Sequence, residues 1–102
     1  MYEKEIRKGI AWLEYQHPEV DLDKVNLNLL ELTDWYNCIL GQLLGGVKCK
    51  QLIEAEPEWA EAHGFHLDHS EENQSDSAWA TLTSEWVSIL RARRTGPESE
   101  SE

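Results

Sequence analysis

The 102-residue chain is strongly acidic, with 20 Asp and Glu against 9 Lys and Arg and a formal net charge of -11. This charge argues against nucleic-acid binding, which needs a basic patch, and against adhesion to anionic lipid. The length predicts one domain with a modest core. No apolar run approaches the ~20 residues that are needed to cross a bilayer. The two cysteines, without a signal peptide, predict free thiols in a reducing cytoplasm.

Residues 2–17 are predicted to form the first helix, because apolar residues recur there at helical spacing while the charged side chains fall outside their stripe. Pro18 is expected to end this helix, since the residue before a proline avoids the helical region. Gly9 lies within the stripe and costs ~1 kcal/mol relative to Ala unless another helix packs closely against it. The stripe consists of Ile6, Gly9, Ile10, Leu13 and His17.

Residues 19–32 alternate apolar and polar side chains in the manner of a strand. No second strand of matching length exists to pair with them, and a lone strand leaves its backbone groups unmatched. We therefore predict an extended segment with one helical turn near Asp23, whose leucines are held against the core.

Residues 33–46 form the most apolar window and are predicted to be a short, buried central helix. Thr33 is expected to be its N-cap, with Asp34 in the first turn, where a carboxylate favours the positive end of the helix dipole. Gly45 and Gly46 supply the left-handed conformation that ends helices. The buried face is predicted to carry Trp35, Ile39 and Leu43.

Three further helices are predicted in the second half of the chain. The first covers residues 48–55, and the second covers 58–63, with Glu56 as cap and Pro57 at the first helical position. After a polar loop, the last helix starts at residue 75 or 76 and runs to about Arg94, with arginines at its C-terminal end, where cations favour the dipole.

The sequence thus predicts an all-α, single-domain bundle of about five helices over residues 1–94. The long first and last helices lie side by side around the short central helix, and residues 95–102, which lack any apolar side chain, form a disordered acidic tail. The predicted core consists of Ile6, Ile10, Leu13, Trp35, Ile39, Leu43, Trp79, Leu82, Trp86, Ile89 and Leu90.

Several motifs occur together in a recognisable order. They are Gly9-Ile-Ala-Trp-Leu-Glu with His17-Pro18, Val20-Asp-Leu-Asp-Lys-Val-Asn-Leu27, Cys38-Ile-Leu-Gly-Gln42, His63-Gly-Phe-His-Leu67, and Trp79-x-x-Leu82-x-x-x-Trp86 followed by Arg91-x-Arg-Arg94. This order resembles a family of small acidic proteins of actinobacteria and their bacteriophages. Some members carry a second Cys where this chain has Trp35. The resemblance implies a phage or prophage context, in which small acidic proteins bind and redirect a host protein, and it implies no activity.

Five tryptophans are many for a domain of this size. Trp12 lies at the edge of the first helical stripe, close to Tyr15, and Trp59 lies on a short, mostly polar helix. Because a surface Trp is a frequent interface anchor, we expect Trp12, Tyr15 and Trp59 to form a partner-binding or dimer surface. The alternative is that these side chains cover the rim of the core.

A metal site and a catalytic site are both conceivable from the Cys and His residues. His63, His66 and His69 lie three apart, downstream of Cys38 and Cys49, and imidazole and thiolate are zinc ligands. Their spacing does not match a closed zinc motif, and Cys38 falls on an apolar helical face. Nothing places Cys49 beside a histidine base, and no phosphate-binding glycine loop is present. We expect no enzyme activity, no cofactor and no metal, with zinc binding as a weaker alternative.

The leading hypothesis is a small cytoplasmic protein that binds a protein partner with a basic surface, through an aromatic anchor within an acidic rim. A homodimer is also compatible with this surface. The second hypothesis is a nucleic-acid mimic that blocks a DNA-binding protein. Mimicry requires carboxylates spaced on one rigid face, whereas many acidic residues here lie in the loop 68–76 and the tail.

Overall fold

A computed structural model describes residues 2–34, 36–67 and 76–95, and the regular elements of these residues are all helical. The all-α prediction, with two longer terminal helices around short central ones, is confirmed. The predicted loop 68–75, the tail beyond residue 95 and the side chain of Trp35 lie outside the described residues. The elements are α1 (Glu3–Gln16), a 3-10 turn (Leu22–Lys24), α2 (Ile39–Leu44), α3 (Gly46–Ala55), α4 (Pro57–Ala62) and α5 (Asp76–Thr95).

The two terminal helices lie side by side, as predicted. Near the start of α1, the Tyr2 amide donates a hydrogen bond to Glu85 Oε1 at 2.7 Å. Near its end, the Arg93 guanidinium donates to Glu14 Oε2 at 2.9 Å. Because the contacts follow the same order along both helices, α1 and α5 run parallel, and their apolar stripes share one core.

The residues that link α4 to the core fit closely against α1. A Cβ atom on Gly9 would overlap the carbonyl oxygen of His63, and it would also lie 3.0 Å from the Phe65 ring. Gly64 has a φ of 75°, and a Cβ there would lie 3.0 Å from the Ile6 backbone. The Trp86 indole of α5 donates to the Gly64 carbonyl at 2.6 Å. Glycine at position 9 therefore lowers the helix propensity of α1, but it allows α1 to lie close to the end of α4.

The central helix is shorter than predicted, and its predicted start is wrong. α2 begins at Ile39, and its N-cap is Cys38, whose sulfur accepts a hydrogen bond from the Gly41 amide at 3.1 Å. Thr33 is therefore not the cap, and Asp34 is not in the first turn. Instead, the Asp34 carboxylate accepts from the Tyr36 amide at 2.9 Å, which favours a turn over a helix.

Of the two glycines predicted to end the central helix, only Gly45 does so. Gly45 ends α2 with a φ of 100°, a conformation that side chains with a Cβ rarely adopt. α3 follows at once, because Gly46 is already its first residue, two residues earlier than expected. Further along, Glu56 and Pro57 take the predicted cap and first helical positions of α4.

The segment between α1 and α2 contains the helical turn predicted near Asp23, but it is not extended throughout, because several of its amides close further turns, such as Leu29 to the Asn26 carbonyl at 3.2 Å. The Asp21 carboxylate caps the predicted turn by accepting from the Asp23 amide at 2.9 Å. Arg94, near the end of α5, donates from its guanidinium to the carbonyls of Leu22 at 3.1 Å and Val25 at 2.7 Å. The last turn of α5 therefore holds this segment in place.

The core contains most of the predicted side chains. Seven of the eleven are buried, namely Ile6, Ile10, Leu13, Ile39, Leu82, Trp86 and Leu90. Three more are partly buried and pack against that core, namely Leu43, Trp79 and Ile89. Phe65 and Leu67 are also buried, whereas Leu29 is exposed, although the leucines of residues 19–32 were predicted to be held against the core.

Candidate protein-binding surface

Helices α1 and α4 bring Trp12 and Trp59 into direct contact. Their ring centroids lie 4.8 Å apart with an angle of 72° between the planes, an edge-to-face arrangement that aromatic pairs prefer. Both side chains are partly buried and pack against the core. Trp12 and Trp59, which the sequence predicts to belong to a partner surface together with Tyr15, therefore form one continuous aromatic pair.

This pair continues into the core through Phe65. The Phe65 ring lies 6.1 Å from Trp12 and 5.7 Å from Trp59, measured between centroids. Beneath it, Phe65 stacks on Trp86 at 5.7 Å with only 16° between the planes. The outer tryptophans are thus supported by an aromatic column that begins at the buried Trp86.

A histidine flanks each of the two outer tryptophans. His17 meets the edge of Trp12 at 5.2 Å, and His63 stacks on Trp59 at 4.8 Å. His63 Nδ1 donates to the Trp59 carbonyl at 2.8 Å, which fixes the orientation of its ring one helical turn after Trp59. His17 Nδ1 lies 3.3 Å from Glu19 Oε2. The sequence reasoning missed both histidines, although the four-residue spacing of Trp59 and His63 on a helix was a signal for their contact.

Tyr15 is the most exposed aromatic side chain of the group, with 81% of its surface accessible. It follows Trp12 by three residues, and positions three apart lie on the same side of a helix. We define the aromatic surface as Trp12, Tyr15, His17, Trp59 and His63. In this surface Tyr15 is the side chain that contributes least to packing, because Trp12 and Trp59 are partly buried.

Exposed carboxylates lie next to two parts of the aromatic surface. A groove of about 420 Å3 beside Trp59 is lined by Glu56, Pro57 and Glu58, and both glutamates are exposed. A second groove, of about 370 Å3, lies beyond the C-terminal end of α1, and one of its lining residues, Glu19, has its carboxylate 3.3 Å from His17 Nδ1. Its charged lining is acidic except for Arg93 and consists of Glu14, Glu19, Asp21, Asp23 and Arg93. A partner that contacts the aromatic surface therefore meets exposed carboxylates beside Trp59 and beside His17.

The histidines considered as zinc ligands do not form one cluster in the described part of the chain. His63 packs on Trp59, whereas His66 packs on the edge of Trp79 at 5.3 Å, and His69 lies outside the described residues. Within residues 2–34, 36–67 and 76–95, no group of three or more His, Cys, Asp or Glu side chains is arranged to hold a metal ion.

The two cysteines meet each other in the core, and their sulfur atoms are 2.7 Å apart. The hydrogen bond to Cys38 and then burial raise the pKa of the Cys49 thiol. Such a shift is opposite to the one that activates a cysteine nucleophile, so the structure offers no support for Cys49 as an attacking group in hydrolysis.

Two exposed apolar side chains were not singled out by the sequence reasoning. Tyr36 is 67% accessible, and its ring covers Gly46 at the start of α3, next to the exposed Val47. Tyr36 lies in a polar turn and Val47 is the second residue of α3, so neither belonged to an apolar stripe of the sequence. Tyr36 is useful as a comparison for Tyr15, because both are exposed tyrosines on different elements.

Among the described residues, none of the helices combines the length and the apolar character that crossing a bilayer requires. Comparison of the chain with protein-family models, with curated proteins and with solved structures gives no match. The function proposed below for the chain is therefore argued from the geometry of the aromatic surface.

Proposed function

We propose that this chain is a protein-binding module that acts by stoichiometric contact, without catalysis and without a cofactor. The aromatic surface is its contact site. The observation that carries the proposal is the Trp12–Trp59 pair, which lies at the surface on a rigid aromatic column and has the exposed Tyr15 beside it. Large aromatic side chains held in place by packing lose little conformational entropy on binding, which is why they dominate interface energies.

The charge of the surroundings defines the chemistry of the partner. Glu56 and Glu58 lie beside Trp59, and Glu19 lies beside His17, in a chain of net charge -11. The partner we propose is a protein whose apolar anchor enters between two basic patches. Such complementarity speeds association and makes it fall as salt rises, because the carboxylates are exposed and therefore screened.

The biological setting is proposed from the family resemblance of the motifs. Small acidic proteins of actinobacteria and their phages provide a context in which the partner is a host or phage protein and binding redirects it. We place this action in the cytoplasm, where the reduced form of Cys38 and Cys49 is the resting state. The alternative occupant of this surface is a second copy of the chain, which would give a homodimer.

The nucleic-acid mimic is the weaker candidate. A mimic must present carboxylates in an array that resembles a phosphate backbone. In the acidic groove at the end of α1, Glu14 forms an ion pair with Arg93 at 2.9 Å, and Arg94 Nε lies 3.8 Å from Asp23 Oδ1. Arginines interleaved with carboxylates reduce the negative potential that mimicry needs, so we favour the protein-binding module.

The test is a comparison of two tyrosine variants. Tagged wild-type chain, Tyr15→Ala and Tyr36→Ala are used to retain proteins from an actinobacterial lysate at low and high salt. A protein retained by wild type is then purified, and its binding is measured by calorimetry. We expect one site per chain, weaker binding at high salt, and a loss of about tenfold in affinity for Tyr15→Ala but not for Tyr36→Ala.

Three results would decide against this account. Equal behaviour of the two tyrosine variants would remove the aromatic surface from the interaction. Release of the retained protein by duplex DNA would favour mimicry. A salt-independent dimer of the free chain that Tyr15→Ala dissociates would show that the surface is occupied by a second copy.

A further inference from the structure

The two cysteines of the chain are brought together by the turn between α2 and α3. Cys38 precedes α2 and Cys49 lies inside α3, 11 residues later. Gly45, with its φ of 100°, reverses the chain between them, so that the two short helices pack against each other. The side chains are 2% and 0% accessible, and their sulfur atoms are 2.7 Å apart.

The surroundings make the two sulfur atoms unequal. The Cys38 sulfur accepts a hydrogen bond from the Gly41 amide at 3.1 Å, and the two thiols share a hydrogen bond in which either sulfur can be the donor. The Cys49 hydrogen bond, followed by those of the backbone, lowers the pKa of the Cys38 thiol against the opposing effect of burial. Because Cys38 is the N-cap of α2 and its sulfur accepts from the Gly41 amide, a negative charge is better stabilised on Cys38 than on Cys49, which assigns the attacking role to Cys38 and the resolving role to Cys49.

We propose that Cys38 and Cys49 form a redox modification site that closes to an intramolecular disulfide on reaction with a peroxide and reopens with a thiol reductant. The site is separate from the aromatic surface, because both cysteines lie in the core between α2 and α3. A disulfide is expected because the two sulfur atoms are already in contact, whereas cysteines whose Cα atoms lie far apart need backbone movement before they can bond.

The reaction balances in two steps. The Cys38 thiolate attacks one peroxide oxygen, the O–O bond breaks, and the departing hydroxide takes a proton to become water, which leaves a sulfenic acid on Cys38. The Cys49 sulfur then attacks the Cys38 sulfur, the S–O bond breaks, and the Cys49 proton goes to the leaving hydroxide. Two thiols are oxidised by two electrons in total, and one peroxide is reduced to two waters.

Burial limits which oxidants can act on this site. Because both side chains are almost inaccessible, a peroxide, which is about the size of two water molecules, can reach the pair more readily than a bulky disulfide. A bond here would join the N-cap of α2 to α3. It would also restrict the unfolded chain, so that the oxidised protein should unfold at a higher temperature than the reduced protein.

The test uses the full chain with no partner, so its outcome is independent of the proposed binding function. Reduced protein is treated with hydrogen peroxide, its thiols are counted by alkylation after denaturation, and its mass is measured without reductant. We expect both thiols to disappear together with a loss of about 2 Da, the mass of two hydrogens, in a monomer, and dithiothreitol should restore both thiols once denaturant has exposed the bond to it.

Two serine variants assign the roles of the sulfur atoms. Cys49→Ser should accumulate sulfenic acid on Cys38, detected by dimedone labelling, whereas Cys38→Ser should leave Cys49 unlabelled under the same treatment. If either variant fails to fold, the wild-type mass and thiol count still decide the question. Retention of both thiols, added oxygen on one sulfur without a disulfide, or disulfide-linked dimers would overturn the proposal.

Discussion

Gly9→Ala separates helix propensity from tertiary packing, because the two act in opposite directions at this position. An alanine in the middle of α1 should stabilise the helix by ~1 kcal/mol relative to glycine. Its Cβ, however, would overlap the carbonyl oxygen of His63 and crowd the Phe65 ring. A backbone carbonyl cannot rotate away, and overpacking of this kind costs roughly 1–3 kcal/mol. We therefore expect a net loss of about 0–2 kcal/mol in the free energy of unfolding.

The assay is urea unfolding followed by tryptophan fluorescence. Ala11→Gly is the matched control, because Ala11 is an exposed position of the same helix and its substitution measures propensity without a packing change. We expect this control to lose ~1 kcal/mol. If Gly9→Ala were instead stabilised by the amount that Ala11→Gly loses, α1 would not approach the end of α4 as closely as described. The contact between Trp12 and Trp59 would then need another explanation.

Two further substitutions test other contacts between α5 and the rest of the fold. Trp86→Phe removes the indole donor that reaches the Gly64 carbonyl and leaves a small cavity, so a loss of about 2–4 kcal/mol is expected by the same unfolding assay, and a loss below ~1 kcal/mol would contradict it. Arg94→Met keeps an unbranched apolar stem but removes the donors to Leu22 and Val25, so stability should fall by about 1–3 kcal/mol. The Val25 amide, whose hydrogen bond to Leu22 closes the 3-10 turn, should also exchange faster with solvent, and an unchanged exchange rate would show that Arg94 does not hold this segment.

The fold class followed from the sequence because its strongest signals are periodic. The stripes that include Ile6, Leu13, Leu82 and Leu90 recur at helical spacing, and all four of these side chains are buried. Caps with a specific residue requirement were also predictable, since Pro57 suits the first position of a helix and few others. Period and backbone restriction act locally, so they can be read without knowledge of the tertiary contacts.

The start of α2 could not be read in this way, because two local alternatives competed. Thr33 and Asp34 are good residues for a helix start, but Asp34 also accepts from the Tyr36 amide and closes a turn. The choice between them depends on distant contacts. Gln42 accepts from the Asn26 amide at 2.7 Å and donates to the Asn37 carbonyl at 3.0 Å, which ties the turn to the preceding segment.

The candidate site was predicted in its residues but not in its arrangement. The positions of Trp12 and Trp59 at the edges of their helical faces suggested a surface role. Their mutual contact depends on how α1 packs on α4, and the close approach at Gly9 determines that packing. The pairing of Cys38 with Cys49 likewise depends on the chain reversal at Gly45 and carries no spacing signal of its own.

The aromatic column has a consequence for any mutational analysis of binding. Trp59 contacts Phe65, and Phe65 stacks on the buried Trp86, so truncation of Trp59 removes support from the core as well as a contact from the surface. A loss of affinity in Trp12→Ala or Trp59→Ala therefore combines a change in folding with a change in contact. Tyr15 is 81% accessible, so its truncation should change affinity while the free energy of unfolding stays within about 0.5 kcal/mol of wild type. Measuring both quantities for Tyr15→Ala and Trp59→Ala would separate recognition from support, because only the second variant should lose both.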